Sequence, residues 1–210
     1  MFQIVKSPLN LPRFSSKRIP CSRSGSEVRN QLMKLSFSVQ TVEGETGGVT
    51  ARAELEKRAS KLAELRYDGI ELLPYDCAKL GYRETSELIN SYDLELSAVG
   101  TGLLYVKKGL SLTDPDNSIR DGAIKAVTEF ADFAQKCDSS ILIIGLIRGK
   151  APKDAPNEEY LKLLQRSIET CAGVAANKGL VLAVEPINRY ETNMINTVEE
   201  ALRLIEQIKH

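Results

Sequence analysis

The sequence predicts an α/β protein made of successive strand–helix units on a parallel sheet. Two observations carry this. From residue 33 onward, short apolar segments alternate with longer segments of helical spacing, and residues 141–147 form an almost pure Ile/Leu run. A strand that is apolar on both faces belongs in a sheet covered by helices. Regular alternation of the two element types implies parallel strands joined by right-handed crossovers.

The elements follow in order. Residues 35–39 alternate as a short strand. Leu55, Ala59, Leu62 and Leu65 recur at helical spacing within 53–65,. Residues 69–73 form a compact strand closed by Pro74, 85–92 a short helix and 94–99 the third strand. Ser118 is placed to cap a helix reaching about residue 136, with Ile119, Ala123, Val127, Phe130 and Ala134 on one side,. The Ile/Leu run is the fourth strand, and a helix follows from Asn157 to about residue 178, ending at Gly179. Residues 181–184 make the fifth strand, stopped by Pro186, and Thr197 caps a last helix over 198–208. Two local irregularities stand out: Arg66 occupies a helix end where Gly is expected, and Gly122 falls inside a helix,. Neither GxGxxG nor GxxxxGK[ST] is present, so nothing marks a nucleotide-binding open sheet. Alternation alone leaves a barrel and an open doubly wound sheet equally compatible.

The chain has 210 residues, 42% hydrophobic and 27% charged, enough for one sizeable core,. Lys+Arg and Asp+Glu both number 28, and a zero balance supplies no field for nucleic acid or an anionic membrane,. Cys21, Cys77, Cys137 and Cys171 are widely spaced with no CxxC, as expected of scattered reduced thiols,. The longest apolar run is too short to cross a bilayer. Residues 1–26 carry Lys6, Arg13, Lys17, Arg18 and Arg23 and no acidic residue. The expectation is a disordered extension over 1–32, with Met33 as the natural start, ahead of one domain over 33–210. The other reading of this Arg- and Ser-rich, acid-poor stretch is an organellar transit peptide; without it the chain is expected in the cytoplasm.

Parallel α/β folds gather functional residues where strands end. The strand ends offer Glu71, Gly100-Thr101-Gly102, Gly145 with Arg148-Gly149, and the segment from Glu185 to Glu191. Glu185 follows Leu-Ala-Val directly, which sets a carboxylate at an apolar rim. Such a group needs a cation or a hydrogen-bond network. An ion pair and a hard divalent ion serve equally on spacing alone. Glu71 either lines the site or pairs with a neighbouring strand, and Arg148 suits either an anionic substrate group or an exposed loop. His210, the single histidine, stands at the chain end and is not expected to act.

These residues resemble the xylose-isomerase-like TIM barrels that epimerise ketoses, nearest the 5-keto-L-gluconate epimerases and D-tagatose 3-epimerases. The matching stretches are YDGIEL at 67–72, VGTGLLYVKKGLSL at 99–112, IIGLIRG at 143–149 and VEPINRYETNMINTVEEA at 184–201, with MKLS at 33–36. The resemblance implies a (β/α)8 barrel, incomplete here at about five βα units. It implies that Glu185 is both a ligand to a divalent ion (Mn2+, Mg2+ or Co2+) and one of two carboxylates that exchange a proton through a cis-enediolate. Glu191 then binds the ketose, and Arg148 and Glu71 are candidates to touch it. The family's other ligands, an Asp, a His and a second Glu, come from later strands. A ketose or keto-sugar acid is the expected partner, with no nucleic acid and no membrane; a homo-oligomer is compatible. Residues 33–210 fall short of the roughly 250 residues of a full barrel, so the chain alone is expected to be inactive. The alternatives are an AP-endonuclease-like hydrolase of the same superfamily and a non-catalytic barrel fragment.

Overall fold

The computed structural model describes residues 34–41, 48–154 and 157–208. The expectations for the 1–32 extension, for Met33 as a start and for His210 lie outside those residues.

Five strands, β1 (Ser36–Gln40), β2 (Gly69–Leu73), β3 (Glu95–Gly100), β4 (Ile141–Ile144) and β5 (Val181–Val184), form one parallel sheet in the spatial order β1-β2-β3-β4-β5. Between them run α1 (Gly48–Glu64), α2 (Cys77–Leu80), α3 (Tyr82–Ser91), α4 (Gly102–Lys108), α5 (Asn117–Lys136) and α6 (Asn157–Asn177), with α7 (Val198–Gln207) after β5. Sequential strands as neighbours, each joined through a helical crossover, are the local pattern of a barrel rather than of a doubly wound sheet, where the order reverses at a switch point. The main core lies between sheet and helices and includes Leu55, Ile70, Leu72, Val99, Phe130, Leu142, Ile144, Leu164 and Leu204. On the other face of the sheet Ala98, Ile143 and Ala183 form a small separate cluster. No described helix is long and apolar enough to cross a membrane.

Four of the returns from helix to strand are built alike. Arg66, Asp93, Asp138 and Gly179 all have left-handed backbone, with φ of 61°, 56°, 57° and 70°. In each the next amide bonds five residues back, as Tyr67 to the Leu62 carbonyl and Leu180 to the Ala175 carbonyl. This double-bonded helix end, with its left-handed residue, terminates the helix and aims the chain at the next strand. A Cβ in this conformation costs about 1–2 kcal/mol. Arg66→Gly is therefore expected to raise stability by about 0.5–1 kcal/mol, after allowing for the extra freedom of glycine in the unfolded chain. A thermal melting midpoint that stays level or falls would count against it. The same turn leaves Leu65, expected on the buried stripe of α1, 58% exposed.

Three expectations need correction. The 141–147 run does not stay a strand: β4 ends at Ile144, and Leu146–Arg148 forms a 3-10 turn. Apolar content reported burial there, not conformation. The cap of α5 is Asp116, whose Oδ1 accepts from the Ser118 amide at 2.7 Å, so Ser118 lies inside the helix. At the end of β3, read from sequence only as the stretch Gly100-Thr101-Gly102, residues 102–108 form the unpredicted helix α4. The expected Thr197 cap is present, with Glu200 completing a capping box,. Cys137 and Cys171 are buried free thiols, and desolvation pushes both up to about 12.

Candidate active site

The strand C-terminal ends surround a cleft of about 300 Å³. Each strand contributes: Ser38 and Gln40 from β1, Glu71 and Leu73 from β2, Gly100 and Thr101 at the end of β3, Gly145 after β4, and Glu185 after β5. Asn188 and Glu191 close one side from the segment between β5 and α7. A larger cavity of about 610 Å³ lies among α2, α3, α4 and α5. Its lysines (Lys108, Lys125 and Lys136) are interspersed with Glu84, Glu129 and Asp132. That mixed helical surface shares no lining residue with the strand-end cleft, and the smaller cleft is where the carboxylates of the strand ends converge.

Glu185 takes its place from the ladder. Its amide continues the β4–β5 pairing by donating to the Ile144 carbonyl at 3.1 Å. Opposite it stands Gly145, where a Cβ would come within 2.9 Å of Glu185 Oε2. The missing side chain at 145 is thus the space the carboxylate occupies. The Glu185 carboxyl is raised from its ordinary 4.5 to about 7, chiefly by burial and also by the charges of Glu71 and Glu191, with the Arg148 charge opposing the rise. None of the ion pairs among the described residues includes Glu185. The salt-bridge reading of this residue therefore finds no partner there.

Glu71 is buried and accepts a hydrogen bond from Ser38 Oγ at 3.2 Å. Desolvation raises its carboxyl, and the Ser38 bond opposes the rise. Glu71 faces the cleft and makes no ion pair with a neighbouring strand among the described residues. The pairing of β2 with β3 shifts between Ile70 and Glu71. The extra residue on β3, Ser97, donates from Oγ to the Ile70 carbonyl. Such a bulge re-aims the side chains that follow it. Glu191 is exposed at the rim; Asn188 Nδ2 donates to its Oε1 at 2.7 Å, and Asn188 Oδ1 accepts from the Tyr190 amide.

Arg148 is not where a substrate-binding arginine would be. It is 0% exposed and outside the cleft lining. Its guanidinium donates to the carbonyls of Met194, Ile195, Glu185 and Gly145. With its donors committed to backbone oxygens, it has none directed at a sugar carboxylate. Sequence reasoning missed Ser38 and Gln40, while Thr101 and Asn188 fall within the strand-end stretches it singled out. The polar alternation of Ser36, Ser38 and Gln40 along β1 was the available signal for the first two, because it sets polar side chains on a sheet face that an apolar core would fill otherwise.

Among the described residues, no group of three His, Cys, Asp or Glu side chains comes together as a metal site. The donor set present is thus short of a complete one, with Glu185 as its best-placed oxygen donor.

The raised Glu185 carboxyl sets a pH dependence. Between pH 4.5 and about 7 the folded chain holds a proton that the unfolded chain has released. The stabilisation from this group is thus present at low pH and lost as pH rises through 7. The urea midpoint is expected to fall between pH 6 and pH 8, and by less in Glu185→Gln. Equal falls in the two proteins would refute this.

A parallel barrel-type sheet with carboxylates converging at its strand ends defines an α/β-barrel protein of the kind that works at the C-terminal face. The description "Xylose isomerase-like TIM barrel" matches residues 59–210, and the chain belongs to that family. Over 163 residues it is 26% identical to an L-ribulose 3-epimerase from Methylomonas sp. (strain DH-1), spanning 77% of this chain and 55% of that protein. A probable ketose 3-epimerase from Synechocystis sp. is 24% identical over 148 residues, 68% of this chain and 49% of that protein. The fold is similar to that of D-allulose 3-epimerase from Methylomonas sp. in complex with D-allulose: TM-score 0.68, 24% identity, 84% of this chain and 60% of that one. It is also similar to 3-keto-D-glucoside 4-epimerase from E. coli, with TM-score 0.64, 19% identity, 85% of this chain and 66% of that one. The chain spans about half the length of the curated relatives it matches.

Proposed function

We propose that this chain forms one wall of a ketose epimerase site, in which Glu185 takes and returns the proton on the carbon beside the ketone. The observation that carries this reading is the Glu185 carboxyl, set at the end of β5 in the cleft and raised to about 7. A carboxyl near neutral is both an effective base and an effective acid at physiological pH. The names of the relatives, which are ketose 3-epimerases, point to the same substrate class. Glu191, aligned by Asn188, and Glu71, held by Ser38, are then the groups that engage the sugar hydroxyls. A divalent ion, as the resemblance implies, would take Glu185 as one donor. The ketose or keto-sugar acid is the small-molecule partner.

Inversion at a carbon requires a second acid–base group on the opposite face of the sugar, and this reading assigns proton transfer to Glu185 alone. The test uses D-allulose in D2O with MnCl2, followed by proton NMR. The expected result is loss of the C3 proton signal without accumulation of the C3 epimer, because one group returns deuterium to the face it served. Formation of the epimer would locate an opposite-face acid within this chain. A C3 signal that persists would overturn the role of Glu185.

A further inference from the structure

We propose that Arg148 is a positioning residue, clamping the segment between β5 and α7 so that Glu185, Asn188 and Glu191 present one fixed wall to the cleft. This rests on the reading of Glu185 and Glu191 as working groups, and it goes beyond that reading by assigning what holds them.

A fully buried guanidinium is costly unless its donors are satisfied. Arg148 is 0% exposed, and its acceptors are backbone carbonyls from two separate loops. Nε donates to Met194 O at 2.9 Å, Nη2 to Ile195 O at 3.0 Å, and Nη1 to Glu185 O and to Gly145 O. One planar fork therefore ties the exit of β4 to both ends of the segment that carries Asn188 and Glu191. A lysine ammonium, a point charge on a flexible stem, does not reach these acceptors together.

The clamped segment contains strain that needs such a clamp. Ile195 has φ of 55°, an outlier for a β-branched residue,. Its carbonyl accepts from Arg148 Nη2 and also from the Ile187 amide at 3.2 Å, which draws the two ends of the segment together. Backbone strain of this kind persists where the surroundings over-determine it. Neighbouring bonds extend the same tie. Thr192 Oγ1 donates to Gly149 O at 2.8 Å, and Asn193 pairs with Ala151 in both directions, at 3.0 and 2.8 Å.

Arg148→Lys and Arg148→Ala, made in the full chain, test the clamp. Amide hydrogen exchange over residues 187–196 is expected to quicken about tenfold or more, while the β1–β3 ladder keeps its protection. The C3 exchange rate of D-allulose is expected to fall by a similar factor. Methylguanidinium added to Arg148→Ala is expected to restore part of both effects, a rescue that loss of general stability would not show. Unchanged protection over 187–196, equal loss of protection in β1–β3, or absence of rescue would each overturn the proposal. Should Arg148→Ala not fold, Arg148→Lys decides by the regional pattern of exchange. If the unmodified chain shows no C3 exchange, the epimerase reading falls, and the amide data still decide the clamp.

Discussion

Glu185→Gln is expected to lower C3 proton exchange on D-allulose by about 10²–10⁴-fold, the range that a positioned acid–base group contributes. Glutamine keeps the shape and volume of the side chain and removes its charge and its ability to carry the proton. The space beside Gly145 still admits it, and the β4–β5 ladder, formed by backbone, is unaffected. Far-UV circular dichroism should therefore match that of the unmodified chain. Above pH 7 the variant should be at least as stable, since it no longer carries a carboxylate charge beside Glu71 and Glu191. Retention of more than a tenth of the exchange rate would show that another group moves the proton.

Gly149→Ala is expected to destabilise the fold by about 2–4 kcal/mol, combining a backbone effect with an overpacking effect. Gly149 has φ of 80° and ψ of −156°, a region that glycine alone occupies comfortably,. A Cβ there would lie 2.0 Å from Ser111 Oγ and 2.8 Å from Thr113 Oγ1. Both hydroxyls are buried, and Thr113 Oγ1 donates to the Arg148 carbonyl at 2.6 Å, so retreat would break an existing bond. The urea midpoint measures the loss. Ser111→Gly in the same chain should recover part of it by removing the nearest atoms, and the double-mutant cycle should show coupling. A loss below 1 kcal/mol would mean that the loops after β3 and β4 are not packed as described.

Much of the fold was legible because the signals were local. Five apolar segments, the Thr197 cap, the Gly179 helix end and the position of Glu185 after Leu-Ala-Val each follow from a few consecutive residues. The bounds of β2 and β5 were read as found, at 69–73 and 181–184. Where expectation failed, the deciding partner lay elsewhere in the chain. The Ile/Leu run at 141–147 has the composition of a buried strand throughout. Only the β5 ladder and the 3-10 turn show that pairing stops at Ile144 while burial continues to Ile147.

The candidate site divides the same way. Residue type and strand-end position identified Glu185, Glu71 and Glu191, since carboxylates beside apolar strand ends are costly and therefore informative. Arg148 carried a similar signal, a charge at a strand end, and it pointed the wrong way. Its acceptors, the carbonyls of Met194 and Ile195, are some 46 residues away and have no signature in sequence, because any residue offers a backbone oxygen.

The sequence by itself determined the succession of the five strands and the longer helices between them, the family to which the chain belongs and the carboxylates that the strand ends present. The tertiary structure alone decided that Glu185 has the room left by Gly145 and a carboxyl raised toward neutrality, and that Arg148 is spent on backbone. The physical reason is common to all three. Periodicity and capping act over one or two turns of chain, whereas desolvation, close approach and the satisfaction of a buried guanidinium depend on groups that only folding brings together.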